Sequence, residues 1–405
     1  MKKITLSLFV AFASSVAFGQ FNQDTTVQLG NSNVALVDQE GFRNTNKILQ
    51  VGTSDVAIIN QSGFYNDNTT TSLGSYNIST VDQVGVSNEN STYQVGLANN
   101  GDVDQMGQNN MSNQVQLGML NSAENFQMGN SNASNQFQMG NSNSATSVQL
   151  GNRNTSGQFQ MGDSNNAMNI QMGDNNSNSQ TQSGNNNFAL NNQSGYYNSS
   201  EQLQVGNYNL AFNNQSGWVN SSEQTQLGNM NIASSNQDGM VNSSDQLQVG
   251  NMNLAMNSQD GDFNSSNQIQ FGNANKASNN QDGDNNETLQ VQLGNMNDAE
   301  VTQVGLSNFA YQYQSGNNNS ATSTQLGQSN LSIQTQTGYG NNADGMQMGS
   351  NNMILQTQNG MSNTALDVQF GVGNAAIVTQ NGLGHSHNGL QVGSNNLAIV
   401  NQSNF

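Results

Sequence analysis

Gln204-Val205-Gly206-Asn207-Tyr208-Asn209-Leu210-Ala211-Phe212-Asn213-Asn214-Gln215 is one turn of a cycle that fills almost the whole chain. Gln recurs every 11 residues from Gln28 to Gln402, and of these 35 slots only Ser72 departs. Gly follows each slot two residues later, except at Asn404, and Asn comes three residues after each Gly, interrupted only by Asp55 and His385. A phase held this long marks a stacked repeat architecture, in which each unit buries its inner face only against its neighbours.

Two rival readings of the period fail. An 11-residue period suits a right-handed coiled coil, but a Gly in every third turn with Asn, Ser and Thr between them erodes helix propensity and leaves no apolar stripe. Asn/Gln-rich, Gly-rich chains often stay disordered. Disorder, however, gives no reason to place Gln at one phase 34 times.

Cut as Asn-x-Ala-x-x-x-Gln followed by x-Gly-x-x, the unit reads as a seven-residue strand and a four-residue turn. Alternation along a strand puts Asn, the third and fifth residues and Gln on one face. In the first clear unit these are Asn33, Ala35, Val37 and Gln39, and Gly41 lets the chain reverse. The third position is Ala at 211, 233 and 255 but Ser at 200, 222 and 244, so the true repeat is 22 residues in two unlike halves. The predicted fold is all-β: a two-sheet β-solenoid of about 17 stacked 22-residue strand-turn-strand coils, roughly 80 Å tall, with inward Asn/Gln ladders.

Stacked amides donate to the coil above and accept from the coil below. Each bond adds only about 1 kcal/mol, but an unpaired buried amide costs about 1–3 kcal/mol, so the ladders lock register. The predicted assembly ladder runs through Gln28, Asn33, Ala35 and Gln39 at one end. It continues through Gln204, Asn209, Ala211, Gln215, Asn220 and Gln226 in the middle, to Asn396 and Gln402 at the other end.

Met1-Lys2-Lys3, the apolar run from Ile4 to Val10, and Ala17 and Gly19 before Gln20 read as a signal peptide over 1–19, leaving 20–405 as 35 half-repeats. No other apolar run approaches the ~20 residues of a membrane span. With no Cys the exported chain has no disulfides. With no Pro, where ordinary usage would give roughly 20, it spares its ladder donors. Net charge is −19, and beyond Lys3 only Arg43, Lys47, Arg153 and Lys276 are basic. That argues against nucleic-acid binding and against direct attraction to anionic lipid.

The Gln204–Gln215 pattern resembles the curlin repeat of bacterial curli fibre subunits, and the likeness covers Asn22 to Gln402. The resemblance implies a functional amyloid exported through an outer-membrane channel and templated by a surface nucleator, forming a biofilm matrix and serving in adhesion. It also implies that Gln204, Asn209, Ala211, Gln215 and their equivalents are ladder positions. The expected partners are further copies of the chain, a nucleator subunit and an export channel, with no membrane insertion and no cofactor.

Neither end shows a capping sequence, and the bare coils are expected to be growth surfaces. Beside the Gln column, Leu203 and Val205, Leu247 and Val249, and Ile269 and Phe271 form an apolar stripe suited to lateral contact, or else merely cover a turn. The other half-repeat puts Asp238, Asp260 and Asp282 in the corresponding places, as gatekeepers against premature aggregation, weak Ca²⁺ contacts or simply a solvated face. An enzyme is the weakest reading: the only histidines, His385 and His387, fall in inward slots with no acidic or Cys cluster near them in sequence. A monomeric adhesin or an ice-binding solenoid is the alternative to a fibre, although the outward rows lack regular Thr.

Overall fold

Seven residues of alternating in-and-out side chains, closed by a glycine, make a strand that can pair only with its own kind. A computed structural model describes residues 21–404 and shows such pairing throughout. The predicted signal peptide lies outside the described residues. Thirty-five strands follow one another, numbered from β1 (Gln23–Asn31) and β2 (Val34–Phe42), through β16 (Phe188–Tyr196), β17 (Ser199–Val205) and β18 (Leu210–Trp218), to β34 (Ser386–Ser394) and β35 (Leu397–Ser403). There is no helix among the described residues.

Odd-numbered strands form one parallel sheet of 18 and even-numbered strands a second of 17. Each strand pairs in register with the strand 22 residues away, Gln193 opposite Gln215 and Gly195 opposite Gly217. The odd sheet runs from the β1 pairing to the β35 pairing. The even sheet runs likewise from β2 to β34, an open stack with two edges. The 22-residue, two-sheet solenoid expected from the sequence is therefore what forms.

The turn differs from expectation. Most strands continue through the glycine, as β16 does through Gly195 to Tyr196, and the break falls on the next two residues. Gly195 has φ +112, and a Cβ there would overlap the carbonyl oxygen of Gly217 in the next coil. Glycine is needed for close stacking as much as for reversal. The corner itself is the residue before Asn, which adopts left-handed backbone: Arg43 at φ 58, Tyr208 at 58, Val219 at 58. Such a φ is costly for a branched residue. Backbone bonds hold it, since Tyr208 N–H donates to Asn185 C=O (3.0 Å) and Leu210 N–H to Asn231 C=O (2.8 Å).

The core is polar for most of its length. Asn187, Ala189, Asn191 and Gln193 are all buried, the alternation expected for one inward face. The alanine column from Ala123 to Ala365 lets the sheets approach. Among the described residues the first coils carry an apolar cluster, Ile48, Ala57, Ile59, Val81 and Val103, with Ala35 and Val37 packed against it.

Candidate functional site

The predicted ladder residues come together as continuous columns. Gln204 Nε2 donates one proton to Gln226 Oε1 in the next coil (2.9 Å) and the other to Phe188 C=O in the facing sheet (2.9 Å). Gln215 does the same to Gln237 Oε1 and Ser199 C=O. The amide thus ties coil to coil and sheet to sheet. The Asn column runs the opposite way: Asn209 donates from its backbone N (3.0 Å) and Nδ2 (3.1 Å) back to Asn187 Oδ1, and Nδ2 also reaches Gly228 C=O (2.8 Å). Asn220 N–H donates to Asn198 Oδ1 at 3.0 Å. Ala211 is fully buried within the alanine column.

Two further columns were not anticipated. Gln202 and its equivalents fill the fifth inward slot of odd strands, with Gln202 Nε2 bound to Gln224 Oε1 (2.9 Å) and Leu190 C=O (3.0 Å). Its sequence signal is the Gln-x-Gln doublet that recurs every 22 residues from Gln114 to Gln358. Outside the core, Asn207 stacks on Asn229 and Asn229 on Asn251 (3.0 and 3.1 Å), announced by Gly-Asn at the same spacing.

The interruptions keep the column wherever chemistry allows. Asp55 is buried in an Asn slot, and its Oδ1 accepts from Asn77 N (2.9 Å) and Nδ2 (3.0 Å). Ser72 is too short to bridge, and its Oγ reaches only Gln94 Oε1 (3.2 Å). His385 N–H still donates to Asn363 Oδ1. His387 Nε2 lies 3.0 Å from Oδ1 of the buried Asp367, whose other oxygen accepts from Gln356 Nε2 (2.9 Å). A carboxylate does therefore face the histidine; proximity in sequence missed it because a coil brings residues about 20 apart into contact. No group of three metal-ligating side chains occurs among the described residues.

The outer faces are chemically divided. Leu203, Leu247 and Ile269 are half-buried, while Val205 and Phe271 are exposed. In register they form two rows, Leu203-Thr225-Leu247-Ile269 and Val205-Leu227-Val249-Phe271. Asp238, Asp260 and Asp282 stack as a row of exposed acids. Beside them, Asp262 and Asp284 accept backbone N–H bonds from Met240 and Asp262, both at 2.9 Å. Elsewhere burial pushes the carboxyls of Asp102 and Asp104 up, helped at Asp104 by the charges of Asp102, Asp82 and Glu124. Burial also raises Glu223 and Asp245, with the charges of Asp245 and Glu201 adding at Glu223.

The two end coils are complementary. At β34 and β35, Gln391 and Gln402 each spend one proton on the facing sheet, at Ala375 C=O and Ser386 C=O. Neither has an amide above it among the described residues. At β1 and β2, Gln28 and Gln39 donate inward to Gln50 and Gln61, and among the described residues their Oε1 atoms receive nothing. The Asn column mirrors this: Asn396 donates to Asn374 Oδ1 (2.9 Å) while its own Oδ1 receives nothing among the described residues, and Asn33 Oδ1 serves Asp55 N–H. One end therefore offers amide donors where the other offers acceptors. Apolar side chains are most bare here too, with Leu390 at 67% and Leu397 at 66% exposed.

Residues 294–327, three Gly-to-Gly units, match the family model of the curlin-associated repeat. No curated protein matches the chain.

Proposed function

We propose that this chain, a curlin-repeat protein, is the secreted structural subunit of an extracellular curli-like amyloid fibre. Copies add end to end through the open edges of the solenoid. The fibre builds biofilm matrix and mediates adhesion, with a nucleator and an outer-membrane export channel as partners and with no catalysis. The observation that carries this reading is the polarity of the end coils: Gln391 and Gln402 present donors where Gln28 and Gln39 present acceptors. Strand edges so matched template one another.

The test is a thioflavin time course on the chain from Gln20 onward, with and without sonicated seeds, combined with fibre diffraction. Elongation without a lag and a meridional spacing near ~4.7 Å are expected. A β-rich monomer that ignores seeds would leave a solenoid adhesin instead.

A further inference from the structure

Among the described residues the stack opens on β1 and closes on β35, and the sheet to which each belongs bears on how one copy meets the next. Strands alternate between sheets, and β1 and β35 belong to the same sheet. A winding continued past β35 next places a strand over β34, in the other sheet. We infer that successive subunits, in the fibre proposed above, stack with their sheets exchanged: β1 of the incoming copy pairs onto β34 and β2 onto β35. The alternative sets β1 on β35 and leaves the place above β34 empty, with a row of unpaired backbone groups inside the fibre.

The side chains at the two ends choose between these arrangements. The 22-residue register that governs every pairing in the chain extends across the junction. With exchange, the outward Leu397 and Ile399 of β35 meet Val34 and Leu36 of β2, and Leu390 and Val392 of β34 meet Val27 and Leu29 of β1. All eight are exposed, and Ile399 at 61% and Val392 at 67% are barer than mid-stack residues in outward slots such as Val205 at 40%. Without exchange, Ile399 would meet Thr25, Leu397 would meet Gln23, and Val27 and Leu29 would meet Asn401 and Ser403.

The inward slots agree. Exchange sets Val37 over Val400 and Ala35 over Ala398, extending the apolar cluster of the first coils across the joint. It also sets Asp24 over His387, the inward imidazole already paired on its other side with Asp367. Without exchange, Asp24 would be buried over Ala398 with no basic partner. The Gln column continues through either junction, so the amides supply attraction and the remaining slots supply the choice. Each subunit is then turned by a half-turn about the fibre axis relative to the last, and each fibre face alternates odd-strand and even-strand surfaces.

The native chain has no cysteine, so single thiols report the junction. Full chains carrying Leu36→Cys and others carrying Ile399→Cys are co-assembled on seeds and oxidised. Neighbouring strands lie about 4.8 Å apart, within disulfide reach. The expected result is a disulfide-linked heterodimer from this pair and none from Thr25→Cys with Ile399→Cys. Fibres that cross-link through Thr25→Cys, or through neither pair, would overturn the exchanged junction while leaving the fibre standing. Chains that never sediment as fibres would remove the function proposed above, and the junction with it.

Discussion

A buried glutamine carries two donors and an acceptor, and this fold uses all three: Gln204 gives one proton up the column, gives one across the core, and receives from Gln182 (2.9 Å). At Ser72 that circuit is broken. Gln50 still accepts from Gln28 (2.7 Å) and donates to Val34 C=O (3.0 Å), but it donates to no amide above it. Ser72→Gln is expected to complete the column and stabilise the fold by roughly 1 kcal/mol. The midpoint of guanidinium unfolding of seed-free chain measures it, and a lower midpoint would mean the slot cannot admit the longer side chain. At this scale the sequence was legible wherever a residue type repeats every 11. Gln202 repeats every 22, in one half only, and Asn207 mostly so, and both were hidden behind the stronger signal. The His387–Asp367 contact has no period at all, so only the coil geometry reveals it.

A strand in this stack meets its neighbours almost wholly through the ladder, so charge repeated on one row accumulates. Asp82, Asp102, Asp104 and Glu124 sit on three successive even strands. The fold holds Asp102 and Asp104 above the ordinary carboxylate value of 3.8 and so favours their protonated form. Their penalty is fully present above the raised value. Stability therefore grows as pH falls through that value and levels off below 3.8, where folded and unfolded chains alike are protonated. Denaturation midpoints between pH 7 and 3 should rise on the acid side. Asp104→Asn should raise the midpoint at pH 7 and flatten that rise; a midpoint that falls steadily with acid would contradict the assignment. The strands themselves were legible from alternation alone. The corner was not, because its left-handed residue is Tyr, Val, Met or Arg in different coils, and geometry selects the conformation where composition does not.

For the whole molecule, each coil contacts only the coils above and below, so stability is close to a sum of neighbour terms. Growth and bundling then separate. Replacing Leu203, Val205, Leu247 and Val249 with Ser strips apolar rows from one flank and leaves the end coils intact. Bundles seen by electron microscopy should thin while seeded elongation proceeds unchanged; slowed elongation would place the stripe within the growth interface. The architecture, the 22-residue coil and the two sheets all followed from the sequence because one rule generates every contact. The matching of the two ends did not, since it depends on the direction in which each amide donates, which a residue's identity does not give.

The opposed directions of the two amide columns also bear on how long such a stack can grow. Inward Gln side chains donate toward the carboxyl end, as Gln193 does to Gln215, and the buried Asn that follows each corner donates toward the amino end, as Asn231 does to Asn209. Each column alone is a line of aligned dipoles, as in a helix, and leaves partial charge of opposite sign at its two tips. Set antiparallel in one core, the lines offset one another. The offset is partial, because the Gln202 column also donates toward the carboxyl end, so the tips keep hydrogen-bonding polarity with a reduced field behind it.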